Sequence, residues 1–291
     1  MINERWARAD SYRCSIVYYI CMRIGKSFLG APGSLRPVLQ STGVRRSVCG
    51  RYYRRSDKQR IADAFKVGVP SSFDILPDYN VAPATMQPVI VEDRDTAERS
   101  LALMSWGLIP YWCDDAKQLG VSTINAKAES LMKKPIWREP FLRRRCLVPA
   151  DGFYEWQKLD RKTRQPWAIT LRSDGPLAFA GLWERWTPGD GGRARETFSI
   201  ITTEANELTA AMHDRMPVIL QPRDYDRWLQ HGDPARPPLD LLRPYESEAM
   251  KAWKVGPAVG NVKNNSADLL EPAVVEPAGQ KRPFTPSLFE S

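Results

Sequence analysis

The chain has 291 residues, of which 43% are hydrophobic and ten are tryptophans, a composition that excludes a disordered chain and fits a protein with a substantial core. The most apolar run near the N-terminus, residues 16–20, is too short to cross a bilayer and lacks a small-residue cleavage site, which excludes a membrane span and a secretory signal there. The net charge of +8 lies mostly in residues 1–47, where eight basic residues face two acidic ones, so global charge does not make the rest of the chain a nucleic-acid-binding domain.

The first 47 residues show no period of 2 or 3.6 and end in a stretch rich in Gly, Pro and Ser. They are predicted to be a non-domain extension. A single domain is predicted over residues 48–275, and residues 276–291, which contain three prolines, are predicted to be a flexible tail.

Within the domain, Ser56 and Gln59 have the spacing of a capping box, which predicts a helix over residues 57–65. A buried strand is predicted at 101–109, and a loop leading into a helix at 122–134. Further predicted strands and helices follow in chain order: two extended segments at 143–159 around a turn at 150–152, strands at 166–173, 177–186 and 197–205, and short helices at 206–213 and 223–230. This irregular alternation predicts an α+β fold with a largely antiparallel sheet.

Four polar clusters interrupt the apolar segments. They are residues 49–51 (CGR), 125–129 (NAKAE), 152–156 (GFYEW) and 213–217 (HDRMP). Each one alone also has a structural interpretation, because a buried cysteine, a capping asparagine or a hydrogen-bonded histidine is common in proteins. Together they supply a thiol, an amide, a carboxyl group and an imidazole, a set suited to nucleophilic chemistry with acid–base help.

Eight blocks in order resemble the SRAP family (SOS response-associated peptidases, also called abasic site processing proteins). The blocks are CGRY, YNVAPAT, WGLIPYW, INAKAES, RCLVPADGFYEW, FAGLWERW, IITTEAN and HDRMPVIL, and the resemblance extends from residue 49 to about 275. It implies a single domain with a mixed, mostly antiparallel β-barrel-like core, flanking helices and a DNA-binding groove. It also implies binding of single-stranded DNA and a covalent crosslink to abasic sites, which protects the lesion.

The resemblance implies four catalytic residues. Cys49 is the nucleophile, Asn125 hydrogen-bonds near the cysteine amine and the lesion sugar, and His213 moves a proton during imine formation and crosslink reversal. Glu155 is the general acid that opens the sugar, and we expect its aromatic neighbours to favour its protonated form.

The resemblance also implies a set of DNA contacts. Arg51 and Lys127 are expected to bind phosphates, although the family usually has arginine where Lys127 stands, which removes the bidentate fork. Arg215 is expected to bind phosphate or to pair with Asp214. Base stacking and strand wedging are assigned to Trp106, Pro83 and Asn80; core packing is the alternative for Trp106.

In that family the cysteine follows the initiator methionine, because a thiazolidine with an aldehyde requires a free α-amine and a thiol on one residue. The chain instead has Val48 before Cys49. Our hypothesis is that translation starts at Val48, with a GUG codon read as methionine, so that removal of that residue exposes Cys49. The alternative is a genuine extension, either a flexible tail or a self-cleaved propeptide.

Two other functions remain open: a cysteine peptidase acting mainly on its own leader, and a non-covalent single-strand-binding module. None of the motifs calls for a metal or an organic cofactor, and neither is expected. The expected partner is single-stranded DNA with abasic sites, bound by a monomer. An odd number of cysteines without a CxxC pair indicates reduced thiols, so the expected location is the cytoplasm, at the nucleoid when damaged DNA is bound.

Overall fold

A computed structural model describes residues 50–69, 71–119, 122–173 and 175–273, so Cys49, the predicted extension and the predicted tail lie outside the described residues. Within those ranges, the strands are β1 Tyr52–Arg54, β2 Asp78–Val81, β3 Met86–Glu92, β4 Arg99–Trp106, β5 Asn125–Lys127, β6 Arg145–Ala150, β7 Gly152–Lys158, β8 Arg164–Leu171, β9 Leu177–Trp186, β10 Arg195–Glu204, β11 Arg215–Pro217, β12 Ile219–Leu220 and β13 Met250–Lys254. The α-helices are α1 Lys58–Phe65, α2 Pro135–Arg143, α3 Glu207–Ala210 and α4 Tyr225–Leu229. Short 3-10 helices lie at Ala116–Gln118, Ala128–Ser130, Pro222–Asp224, Leu239–Leu241, Ser247–Ala249, Pro257–Gly260 and Ala267–Leu270.

Five strands close into a mixed barrel in the order β10-β4-β3-β6-β9. Neighbouring strands are antiparallel along β4, β3, β6, β9 and β10. The ring closes where β10 runs parallel to β4, with Phe198 opposite Trp106. The predicted α+β class and the barrel-like, mostly antiparallel core are confirmed.

A second, fully antiparallel sheet has the order β13-β8-β7-β1-β2. Short strands extend the barrel at its side: β5 and β11 both pair with β10, and β12 pairs with β9. Strand β10 therefore has four partners, and it connects the barrel to two of the predicted functional clusters.

Alternate residues of the barrel strands enter different hydrophobic clusters. Leu147 of β6 packs with residues of the helices, such as Phe141 and Trp228. Its neighbour Val148 packs with residues of the second sheet, such as Phe153. Both faces of β6 are therefore covered, which explains why its sequence reads as a continuous apolar run.

A buried arginine joins two helices to the barrel. The Arg145 guanidinium donates to the carbonyl oxygens of Phe141 and Leu142 in α2 and of Trp228 in α4, at 2.6–3.2 Å. Carbonyls in the last turn of a helix lack partners within the helix, so the guanidinium caps both C-termini at once. Burial lowers the pKa of Arg145 to about 10, against the opposing effect of Glu92.

Two local predictions were wrong in detail. The N-cap of α1 is Asp57, whose Oδ1 accepts from the Arg60 N–H at 2.9 Å. Ser56 donates through its hydroxyl and its N–H to the buried Asp151 carboxylate instead, at 2.7 and 2.8 Å. The segment 122–134, predicted as a loop before a helix, contains strand β5, and the helix that follows begins at Pro135.

None of the helices in the described ranges is long and apolar enough to cross a membrane.

Candidate active site

The first described residue lies next to Glu155. In the antiparallel pair of β1 and β7, Tyr52 is opposite Phe153, and the Tyr154 N–H donates to the Arg51 carbonyl at 3.1 Å. Continuing this register places Gly50 opposite Glu155. The backbone of Gly50, the residue that follows Cys49 in the sequence, is therefore expected opposite the backbone of Glu155, the residue predicted to act as the general acid.

Glu155 is buried, with 4% of its surface exposed. Its sequence neighbours Tyr154 and Trp156 lie on the other face of β7, because side chains alternate along a strand. Its aromatic neighbour is Trp167, directly opposite it on β8. The expectation that aromatic neighbours favour the protonated form of Glu155 stays a prediction.

Asn125 begins β5, where it lies opposite Ile200 of β10. The carbonyl of the preceding residue, Ile124, accepts two hydrogen bonds, from the Ile200 N–H at 3.0 Å and from the Trp106 indole N–H at 2.8 Å. These bonds fix the backbone that carries Asn125. The ring of Trp106 is enclosed in the core, with 1% exposed.

His213 lies in the loop between α3 and β11. Its Nδ1 accepts from the Arg215 N–H at 3.1 Å and lies 2.6 Å from Oδ1 of Asp214. The two contacts require opposite protonation states of Nδ1. It must be unprotonated to accept from the Arg215 N–H, and it must be protonated to donate to the Asp214 carboxylate. The backbone donor is fixed, whereas the Asp214 side chain is largely exposed. We therefore assign the proton of the neutral ring to Nε2.

Lys127 and Arg215 lie on the two strands that flank this part of β10: Lys127 is opposite Thr202, and Arg215 is opposite Glu204. The Lys127 side chain is exposed. The Arg215 guanidinium is occupied: it donates to both carboxylate oxygens of Glu129, at 3.0 and 3.1 Å, and to the Thr202 carbonyl at 2.6 Å. Burial acts to raise the pKa of Glu129, but the hydrogen bond and charge of Arg215 outweigh it and hold the pKa below its usual value. Arg215 thus pairs with Glu129 and not with Asp214.

Arg51 and Asn80 are hydrogen-bonded to each other and to the loop at residues 259–264. Arg51 donates to Asn80 Oδ1 at 2.7 Å and to the Val259 carbonyl at 2.9 Å, with its guanidinium 5.7 Å from the centre of the Trp156 ring. Asn80 is buried, and its amide donates to the carbonyls of Asn261 and Asn264 at 3.0 and 2.8 Å. Burial lowers the pKa of Arg51. This geometry gives both residues a role in anchoring the loop, and their contact with DNA stays a prediction.

The turn that carries Pro83 is hydrogen-bonded to the backbone of Trp106 through the residue after Pro83. Pro83 is in the turn between β2 and β3, followed by Ala84, whose positive φ of 66° lets its N–H donate to the Trp106 carbonyl at 2.8 Å. Pro83 is half-buried at the surface. The burial of the Trp106 ring favours core packing, the alternative to base stacking, for this residue.

Comparison with known proteins decides the family. The family model described as "SOS response associated peptidase (SRAP)" matches residues 48–262. The chain belongs to the SRAP family. It is 41% identical over 227 residues to the abasic site processing protein YoqW of Bacillus subtilis, covering 77% of this chain and 99% of YoqW. It is 32% identical over 225 residues to the abasic site processing protein HMCES of Gallus gallus, covering 67% of this chain and 66% of HMCES.

Solved structures resemble the SRAP fold described above. A crystal structure of a Bacteroides thetaiotaomicron protein superposes with a TM-score of 0.67 at 27% identity, covering 78% of this chain and all of that one. A Bordetella bronchiseptica protein gives a TM-score of 0.61 at 26% identity, covering 72% of this chain and all of that one.

Contacts between elements bring the predicted SRAP clusters together. Strands β5 and β11 share β10, and the Arg215–Glu129 pair joins the segments that carry His213 and Asn125. On the other side, the Gln157 amide donates to the Ala211 carbonyl, two residues before His213. Gln157 and Trp167 were missed from the sequence; pairing 153–158 with 164–169 around the turn at 160–162 could have indicated both. No cluster of three or more Cys, His, Asp or Glu side chains that could hold a metal occurs in the described part of the chain.

Proposed function

We propose that this protein binds single-stranded DNA and forms a thiazolidine crosslink with abasic sites through the α-amine and thiol of Cys49. The observation that carries the proposal is the register of β1 on β7, which, continued to Gly50, sets that residue opposite the buried Glu155. Membership of the SRAP family and the names of its abasic-site-processing relatives support the same reaction.

The proposed chemistry needs both groups of one residue. The amine adds to the aldehyde of the ring-opened sugar, and loss of one water gives an imine. The thiolate then adds to the imine carbon while the nitrogen takes up a proton, which closes the five-membered ring. The α-amine, with an ordinary pKa of roughly 7.7–8.0, is partly neutral at physiological pH and can therefore attack.

The other residues have defined roles in this proposal. Glu155 donates a proton to the ring oxygen as the sugar opens and later receives one. Asn125, on a strand fixed by β10 and Trp106, orients the amine and the sugar through its amide. His213, with its proton assigned to Nε2, transfers a proton during imine formation and its reversal.

We further propose that the reactive form begins at Cys49. The family model starts at residue 48, directly before it, and an amide nitrogen at residue 49 could not form the imine. Either a start at Val48 or removal of a leader would give this form. Intact mass of the protein from its native host tests the proposal, and a stable species that retains residues 1–48 contradicts it.

One assay separates the three candidate functions. The form beginning at Cys49 is incubated with single-stranded DNA that contains one abasic site, and the products are run on a denaturing gel. A shifted band that is lost in Cys49→Ala supports the crosslink. Cleavage of added peptides would support a peptidase, and a shift seen only on native gels would support a non-covalent binding module.

A matched pair of proteins tests the amine requirement. The form beginning at Cys49 is expected to crosslink, whereas the 291-residue form, kept intact and verified by mass, is not. Its thiol could give only a hemithioacetal, which does not survive denaturation. Equal crosslinking by both forms would rule out the thiazolidine mechanism.

We propose a monomer acting in the cytoplasm, with sedimentation of the DNA complex as the measurement of its stoichiometry.

A further inference from the structure

We propose that Gln157 is a positioning residue for the crosslinking reaction, because it links the strand that carries Glu155 to the loop that carries His213. The inference rests on the proposed function. Gln157 lies two residues after Glu155 on β7, so both side chains are on the same face of the strand.

The Gln157 amide makes two hydrogen bonds that fix its orientation. Its Oε1 accepts from the Trp167 indole N–H at 3.1 Å, and its Nε2 donates to the Ala211 carbonyl at 3.1 Å. An indole N–H can only donate and a carbonyl can only accept, so the oxygen and nitrogen of the amide cannot exchange places without losing both bonds.

The first bond holds the ring beside Glu155. Trp167 is directly opposite Glu155 on β8, and Lys254 is opposite Trp167 on β13. The Lys254 ammonium lies 5.6 Å from the centre of the indole ring. Gln157 and Lys254 therefore hold the indole between them, and the ring forms a fixed wall next to the candidate acid.

The second bond holds the segment that leads to His213. Ala211 is the C-cap of α3, a helix of four residues, and a carbonyl at this position has no partner within the helix. The next turn is closed by the His213 N–H, which donates to the Thr209 carbonyl at 3.0 Å. By supplying a donor to Ala211, Gln157 sets the distance between this turn and β7.

The decisive experiment compares two glutamines of the same hairpin. Gln157 and Gln165 are opposite each other and are both half-buried, but Gln165 donates to the carbonyls of Pro166 and Val255, away from the His213 loop. We expect Gln157→Met, which keeps the shape and removes both bonds, to slow crosslinking on the order of tenfold at saturating DNA. Gln165→Met should leave the rate within about twofold, and both variants should bind undamaged single strands within about twofold of the wild type.

A double substitution distinguishes positioning from general loosening of the sheet. In a His213→Ala background, Gln157→Met should slow crosslinking by clearly less than it does in the wild type, because one of the two groups that it positions is gone. Gln157→Glu keeps the acceptor for Trp167 and loses the donor to Ala211, so it should be slowed by an intermediate amount; it also serves as the test if Gln157→Met fails to fold.

The inference is overturned if Gln157→Met crosslinks within about twofold of wild type, if Gln165→Met is slowed equally, or if the effects of Gln157→Met and His213→Ala multiply. A wild-type protein that forms no crosslink at all would contradict the proposed function itself, a different result from any of these.

Discussion

Glu155 combines deep burial with a place beside the start of β1, and this combination makes it the residue whose substitution is most informative. We expect Glu155→Gln to reduce the crosslinking rate by about 10²–10⁴-fold, because the amide keeps the shape of the side chain and removes the titratable proton. Binding of undamaged single strands should be nearly intact. Crosslinking rate and binding, measured separately by denaturing gel and fluorescence anisotropy, check this.

Glu184 provides the control for burial alone. It is as buried as Glu155, but it lies on β9 of the barrel, and its carboxylate is paired with Arg144 at 2.7 Å. Glu184→Gln should change thermal stability and leave the crosslinking rate within about twofold of wild type. A parallel loss of DNA binding and crosslinking in Glu155→Gln would indicate a structural role for that residue.

Two buried tyrosines should respond in opposite directions to loss of the hydroxyl. The Tyr52 hydroxyl has no hydrogen-bond partner among the described residues, whereas the Tyr154 hydroxyl donates to the Tyr79 carbonyl at 2.8 Å. An unsatisfied buried polar group costs roughly 1–3 kcal/mol. We therefore expect Tyr52→Phe to raise the free energy of unfolding by about 1 kcal/mol, and Tyr154→Phe to lower it by about as much. Urea denaturation of both variants is the measurement, and destabilisation by Tyr52→Phe would contradict the assignment.

At the scale of elements, the second sheet depends on one close approach at Gly152. A Cβ at this position would lie 2.2 Å from the Tyr53 hydroxyl and 2.4 Å from the Ile169 carbonyl oxygen. Because a backbone oxygen cannot rotate away, β1 and β8 could not both keep their places against β7. We expect Gly152→Ala to destabilise the protein by about 3 kcal/mol or more.

Gly256→Ala is the matched substitution, since an added Cβ there has nothing within 4 Å. It should leave the free energy of unfolding within about 0.5 kcal/mol of wild type. Equal urea midpoints for the two alanine variants would show that the sheet can move to accept the methyl group at residue 152.

The sequence predicted the elements better than their connections. The apolar runs and the turn at 150–152 predicted β4 and the strands from β6 through β10, because both signals are local in the chain. The N-cap of α1 was misassigned because Ser56 bonds to Asp151, which is 95 positions away and invisible to a local pattern. The parallel pairing of β4 with β10, which closes the barrel and stacks the rings of Trp106 and Phe198, has no local signal.

The candidate site shows the same limit: its residue clusters were predicted, but the contacts that hold them were not. The clusters containing Asn125, Glu155 and His213 were found by their residue types and by family resemblance. The partners that hold them were not, since the Trp106 bond to Ile124 and the Gln157 bond to Ala211 join segments that are distant in sequence. Arg51 is the clearest case: a cation next to the predicted nucleophile predicts a phosphate contact, whereas the bonds of its Nη1 to Asn80 and Val259 join segments that are distant in sequence.

At the scale of the whole molecule, binding of single strands should weaken with salt, because phosphate contacts release counterions. Lys127 is exposed beside Asn125, whereas the Arg51 guanidinium is bonded to Asn80 and Val259. We expect Lys127→Gln to reduce the slope of log K against log salt by about 0.7, the value for one single-strand contact. Arg51→Gln should leave that slope unchanged. The slopes are measured by anisotropy titrations over a range of salt concentrations. A slope that is reduced by Arg51→Gln and unchanged by Lys127→Gln would assign the phosphate contact to Arg51.

Strand β10 has a consequence for the newly made protein. The ribosome synthesises Cys49 and Glu155 before residues 195–204, yet β5 and β11 have β10 as their partner in the sheet. Until β10 has been made and has paired with β4 and β9, the backbone of Asn125 has no partner strand and the barrel is open. A nascent or prematurely terminated chain would thus carry Cys49 and Glu155 without the strand that holds Asn125 in place. We therefore expect the proposed reactivity toward abasic sites to be acquired late, when the chain is nearly complete.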